Sequence, residues 1–283
     1  MIESVWLVLR AAGLMLSFQA AGAALFMVLF ARELAAAAPA IGQLGARIGF
    51  AAVAVLLAQA LFEPVYLAGQ WSGALDPDML RLFLGSSTAA ALALRLLGMV
   101  GIAFGLRRSS RAVAGVATAG CLALLISFTL SGHTSVRAHR PALAALLLLH
   151  LGIVAFWFGA LWPLRQVIAL EPRVVAARVI AAFSQFAVRL VPGIAVAGAC
   201  LAALLLPDLA ALTQPYGLLL LGKVGLFALL MGLAALNRLR LAPAFAAARA
   251  DGALRHSIAL EYLLICATLA LTAVMSGKFS PEP

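Results

Sequence analysis

Three of the four histidines in this 283-residue chain, His133, His139 and His150, fall within eighteen residues of one another. They sit in the stretch SGHTSVRAHRPALAALLLLHLGIVAFWFGALWPL. An imidazole nitrogen is a ligand for copper, zinc, iron or haem iron, and a loop folding back over a helix mouth would bring several rings to one ion. The competing reading for His133 and His139 is a solvated loop residue, and for His150 a hydrogen-bonded core histidine. Met15 lies about as deep from its outer end as His150 and adds a soft thioether; no methionine belongs to an MxxM pair. Lys223 and Glu261 carry opposite charges on the last two apolar stretches. They form a candidate buried ion pair, either simply neutralised or able to gate and couple protons.

These groups matter because of what surrounds them. Hydrophobic residues make up 65% of the chain and charged residues 11%, and the mean hydropathy is +1.11. A water-soluble domain carries about a quarter charged residues, so the composition excludes a cytosolic enzyme, a secreted disulfide scaffold and a disordered chain. The expected fold is all-α: a single polytopic membrane domain over residues 1–283. An ionisable group at bilayer depth costs about 2.5–3.5 kcal/mol on insertion scales, so each needs a partner or a job. Besides His150, Lys223 and Glu261, the apolar stretches hold Arg10, Glu63, Arg95 and Arg189, with Gln19, Gln59, Gln185 and Asn237.

A spanning helix needs about 20 mostly apolar residues. That window predicts eight transmembrane helices, over 4–31, 45–69, 80–106, 112–131, 141–169, 176–206, 214–239 and 255–277. Pro192 is expected to kink the sixth span and Pro64 the second near its end. The loops on one side carry twelve basic residues and those on the other carry Arg81, Arg137, Arg140 and Lys278. The arginine-rich side is therefore expected in the cytoplasm and both termini outside it. Arg10 interrupts the first apolar run, so that span is expected to be retained rather than cleaved as a signal peptide. The faint likeness of Ala46-Arg47-Ile48 to Ala177-Arg178-Val179 fits two four-helix halves.

The formal charge of +10 is spread over short loops as a topology signal, without the basic patch and interleaved aromatics of a nucleic-acid binder; no nucleic-acid partner is expected. Cys121, Cys200 and Cys266 stand singly in apolar runs, as packing residues rather than a metal knuckle or disulfide.

Read together, three segments make the chain resemble the copper resistance protein D (CopD/PcoD) family of bacterial inner-membrane proteins. The first is Gly132-His133. The second is His150 with Trp157-Phe158-Gly159-Ala160-Leu161. The third comprises Phe183-Ser184, Gly198, Thr213-Gln214-Pro215-Tyr216-Gly217, Leu220-Leu221-Gly222-Lys223, Asn237-Arg238, Pro243 and Glu261. The CopD-like segment covers residues 131–277; the sequence departs from the pattern at Ala160, where glycine is usual, and at Thr134, where a small apolar residue is. The resemblance implies eight helices with both termini in the periplasm, and copper movement across the inner membrane, generally inward. His133, His150, Lys223, Asn237 and Glu261 are the matched family positions.

The leading expectation is thus a non-enzymatic copper transporter of the inner membrane, with the lipid bilayer and a copper ion (Cu+ or Cu2+) as partners. His133, His139 and His150, aided by Met15, would hold the metal, while Lys223 and Glu261 would gate or couple. A periplasmic copper-binding donor protein is expected in place of the fused domain some relatives carry, unless the ion is taken directly. The alternative is a haem-binding redox protein with His150 as axial ligand and Arg95, Arg189 or Lys223 against propionates. A third expectation is an assembly partner for other copper proteins.

Overall fold

The structure, a computed structural model, describes residues 1–107, 111–131, 140–206, 208, 210–249 and 251–279. These form α1 (Ile2–Phe30), α2 (Ala37–Ala68), α3 (Pro77–Leu84), α4 (Ser87–Leu106), α5 (Arg111–Ser127), α6 (Arg140–Leu170), α7 (Arg173–Leu190), α8 (Pro192–Leu205), α9 (Pro215–Leu236), α10 (Ala242–Ala246) and α11 (Asp251–Lys278). No strand occurs among the described residues. Seven helical stretches are long and apolar enough to cross a membrane, with α7–α8 and α9–α10 each counting as one; the apolar part of α5, Ala114–Ser127, is shorter.

The ends of these helices are legible in local chemistry. Asp76 accepts from the backbone N–H groups of Asp78 and Met79 at 2.9 and 3.3 Å, with Pro77 opening α3, a capped start built on a fixed φ. Ser86 caps α4 through Ala89 N–H at 3.2 Å. The stretch expected as one span over 80–106 is therefore two elements: the Gly85–Ser86 cap stops α3, and the crossing helix starts at Ser87. Pro192 divides the expected sixth span into α7 and α8 because it has no N–H to continue the ladder. α2 runs through Pro64 and ends at Gly69, whose φ of 67° suits a residue without Cβ.

At the arginine-rich end, Glu171 reaches from beyond α6 to the start of α2. Its Oε1 accepts from Ala36 and Ala37 N–H at 2.8 and 2.7 Å, placing a carboxylate on orphan donors at a helix N-terminus. Arg173 clasps Asp251 with two bonds of 2.6 and 2.7 Å and donates to Phe245 O at 2.9 Å, tying α7 to α11. At the other end Lys278 pairs with Glu3 at 2.9 Å, so the start of the first helix and the finish of the last lie together.

α1 lies at the centre, touching α2, α4, α5, α6 and α11. Its residues enter both large buried clusters: one shared with α2, α4 and α5, the other with α6 to α11. The outside is studded with bare apolar side chains such as Leu61, Leu97, Val8 and Leu229, as expected where lipid rather than water is the solvent.

Without a hydrophobic drive between helices in lipid, close packing of small residues holds them together. On α4 and α5, an added Cβ at Gly98 would meet Gly120 O at 2.7 Å, and one at Gly105 would meet Ala117 Cβ at 2.6 Å. The tightest crossing joins α1 to α6: a Cβ on Gly159 would lie 2.3 Å from Gly22 Cα, and one on Gly22 would lie 2.0 Å from Ala155 O. Both atoms are backbone, so only helix separation could relieve the clash. Gly159→Ala is therefore expected to lower stability by about 1–3 kcal/mol or more. Gly225→Ala, in open space on α9, is expected to leave the thermal midpoint unchanged. Thermal unfolding of purified protein distinguishes the two; equal midpoints would refute the crossing.

Candidate functional site: two polar levels inside the bundle

At 1.5 Å of rise per residue, the intramembrane polar residues fall at two heights. The upper level is at the end of the bundle where the loops carry few basic residues. Arg10, Gln59, Glu63, Arg95, His150 and Lys223 lie there, about 8–15 Å in from their helix ends. The lower level, about 25–28 Å from that same end, holds Gln19, Trp157 and Glu261.

On α6, His150 and Trp157 are seven residues apart, two turns, and so share one face. His150 Nδ1 lies 3.2 Å from Ile194 O. A carbonyl oxygen only accepts, so Nδ1 carries the proton and donates. The ring is thereby held as the tautomer whose Nε2 keeps its lone pair. Gly198, one turn further on α8, faces the ring edge: an added Cβ would sit 3.5 Å from Cε1, ordinary contact distance. Lys223 is the charged group that bears on His150.

The expected Lys223–Glu261 ion pair is not formed. The ion pairs among the described residues are Arg81–Asp78, Arg173–Asp251 and Lys278–Glu3. The reason is height. Lys223 stands eight residues from the start of α9, about 12 Å, and Glu261 seventeen residues from the end of α11, about 26 Å. Glu261, only 4% exposed, instead accepts from Asn237 Nδ2 at 2.7 Å. Trp157 lies beside the same carboxylate. Asn237 opens a π-helical turn, Asn237–Leu241, where α9 leaves its regular ladder; such turns are frequent at functional sites. The next residue, Arg238, donates to Ser184 O and Oγ at 3.0 and 2.9 Å, fastening the turn to α7. Gln19 donates to Gly159 O at 3.1 Å beside the helix crossing.

The remaining charges form a separate group on the N-terminal helices. Glu63 accepts from Trp6 Nε1 at 3.2 Å, with Arg10 and Gln59 close by. Trp6 stacks on Tyr66 at 4.2 Å between ring centres, and Arg10 lies over the indole at 5.0 Å while donating to Ser276 Oγ at 3.2 Å. Arg95 donates to Ser127 Oγ at 3.1 Å and covers the Phe128 ring at 4.0 Å. Arg189 is exposed on α7.

Met15 is partly buried against the larger core cluster. His133 and His139 lie outside the described residues. Among the described residues no group of three or more His, Cys, Asp or Glu side chains is placed to hold a metal ion. Sequence reasoning picked out Glu261 but missed that Asn237 and Trp157 are its neighbours.

A chain whose described residues form no strand and include seven membrane-length apolar helices, with polar side chains paired among them, is a multi-pass membrane protein. The family profile described as CopD, copper resistance protein D, matches residues 177–275. Copper resistance protein D of Pseudomonas syringae pv. tomato is 30% identical over 248 residues, 81% of this chain and 78% of that protein. The chain belongs to the copper resistance protein D family, whose members are membrane proteins of copper resistance and homeostasis. No solved structure matches it.

The Glu261–Asn237 bond is open to direct measurement. Asn237→Ala leaves a buried carboxylate without its donor and is expected to cost about 1–3 kcal/mol. In a Glu261→Gln background the same change is expected to cost less, because the charge is gone. A double-mutant cycle on thermal unfolding gives the coupling; a coupling near zero would show that the bond carries no weight.

Proposed function

We propose that this protein moves copper inward across the bacterial inner membrane through eight helical crossings, α5 included, with both termini in the periplasm. The Glu3–Lys278 pair supports an even number of crossings, since it brings the first and last helices to one end. The twelve-to-four bias of basic loop residues supports the orientation. A copper ion is the cargo. His133 and His139 would take it from a donor protein or directly at the outer mouth, with His150 as the ligand inside the bundle and Met15 as a soft neighbour.

The observation that carries this reading is the contact of His150 Nδ1 with Ile194 O at 3.2 Å. The Nδ1 proton is committed to Ile194 O, so Nε2 is the nitrogen left for a metal, and a carbonyl that accepts from the other ring nitrogen orients a ligating imidazole and raises its basicity. Lys223 then acts as an electrostatic gate. Its ammonium opposes a cation at His150 and is replaced by the cation when the amine gives up its proton. Glu261, two turns lower and held by Asn237, is the carboxylate that would take up a proton as copper passes, so both carry the gating and coupling role.

Cells producing the protein are expected to accumulate copper, and His150→Ala to abolish the gain and lower the bound copper of purified protein. Lys223→Met removes the opposing charge and is expected to tighten copper binding by roughly tenfold or more. Unchanged stoichiometry and unchanged cellular copper in His150→Ala would remove the residue from the pathway. The same nitrogen would suit haem iron, so a Soret band in the purified protein, lost in His150→Ala, would replace the copper reading with the redox one.

A further inference from the structure

Between α7 and α9 the bundle holds a cavity of about 300 Å³. Met231, Ala234, Ala235 and Arg238 border it from one side, and Ser184, Ala187, Val188 and Val191 from the other. Both sets step by three and four residues, so each is a single helix face. The two faces are tied at one point, where Arg238 donates to Ser184 O and Oγ at 3.0 and 2.9 Å. Beyond that bond α7 and α9 are not packed on one another, and the short alanine side chains leave the space between them open. The result is a trough with a cation at its foot and hydrocarbon along its length.

Depth decides what fills it. The rim includes Val188, 50% exposed, and Leu239, 71% exposed, so the trough opens sideways on the apolar outer surface. Arg238 stands twenty-three residues beyond Pro215, about 34 Å along the helix, and the hydrocarbon core of a bilayer is about 30 Å thick. The foot therefore reaches the depth of headgroup phosphates, and the trough rises from it to Met231 and Pro192 among acyl chains. Charge then narrows the headgroup. Arg238 is exposed, and only its Nη1 is spent on Ser184; its Nε and Nη2 have no partner among the described residues. Arg240, two residues on, and Arg178, six residues before Ser184, are exposed as well. None of the three arginines belongs to an ion pair among the described residues. Glu261, the carboxylate bordering the cavity, lies on its buried wall and is engaged by Asn237. A planar guanidinium with two donor groups to spare matches a phosphate, which arginine holds in bidentate fashion.

We propose that this trough binds one anionic phospholipid, its phosphate on Arg238 and an acyl chain lying between the α7 and α9 faces. This rests on residence in a membrane and not on the copper reading, and its test involves no metal. The full chain, stripped of lipid in dodecyl maltoside, is titrated with palmitoyl-oleoyl phosphatidylglycerol and followed by native mass spectrometry. Phosphatidylcholine with the same chains is the reference. One retained phosphatidylglycerol per chain is expected, held about tenfold more tightly than phosphatidylcholine because several unpaired arginines favour a net negative headgroup. Glycerol 3-phosphate, which has the phosphate without the chains, is expected not to displace it. Arg238→Gln is expected to weaken phosphatidylglycerol binding by about tenfold or more, and Ala234→Phe, which puts a ring into the trough, to abolish it. Equal retention of the two lipids by the unaltered protein would overturn the proposal, as would displacement by glycerol 3-phosphate; neither comparison needs a variant. Undiminished binding by either variant would do so as well.

Discussion

The backbone contact between Gly22 and Gly159 fixes how the central helix meets α6, and α6 carries both polar levels. With any side chain at either position the two helices would stand apart, since the atoms in the way are Ala155 O and the α-carbons themselves. At that separation Gln19 could no longer donate to Gly159 O across the crossing. The seven-residue step from His150 to Trp157 is internal to α6, but where those side chains point within the bundle depends on the crossing. The free imidazole nitrogen near one end and the indole beside Glu261 near the other are thus two consequences of one packing contact. This explains why the run Trp157 to Leu161 is almost wholly buried, with Trp157 beside Glu261 and Gly159 O accepting from Gln19.

Cations outnumber carboxylates inside the bundle, and the fold deals with each in a different way. Arg10 and Arg95 lie over aromatic faces and donate to serine hydroxyls, so each guanidinium gains from a ring quadrupole and a hydrogen bond together. Glu63 is given an indole donor and a nearby cation. These groups sit on α1, α2 and α4, with partners on α5 and α11, and they brace the N-terminal half rather than opening a path through it. Among the described residues Lys223 makes no ion pair and covers no aromatic ring, and Glu63, the carboxylate of its level, is held in the N-terminal group by Trp6, which is what distinguishes Lys223 from the braced arginines. In the proposed function that imbalance is useful, because an ammonium beside His150 makes occupancy by a cation conditional on the amine's proton.

Much of this was readable beforehand. The apolar runs foretold an all-helical membrane bundle and the place of its seven membrane-length helices, while the span expected over 112–131 is met by the shorter apolar stretch Ala114–Ser127, and Pro192 announced the break between α7 and α8. His150 and Glu261 stood out because an ionisable residue in an apolar helix has no neutral explanation at low cost. The pairing did not follow, because a sequence gives position along a helix but not the offset between helices: Lys223 and Glu261 look level until the lengths of α9 and α11 are known. The break at Gly85 was hidden by the apolar residues on either side of it, Leu82 to Leu84 and Ala89 to Leu94, although the Ser86 cap was present. Asn237 shows the remaining limit. Its amide becomes the partner of Glu261 only because the chain widens into a π turn there, and such a turn has no compositional signature.

The separation of the two levels bears on how copper and proton movements relate in the proposed function. His150 and the Trp157–Glu261 neighbourhood lie about 10 Å apart along α6, too far for one ion to bridge and within range for charge to be felt where water is scarce. An ion held at His150 would therefore act on Glu261 through the field rather than through a shared ligand. Asn237 biases that response, since its N–H favours the ionised carboxylate and leaves the amide oxygen without a donor.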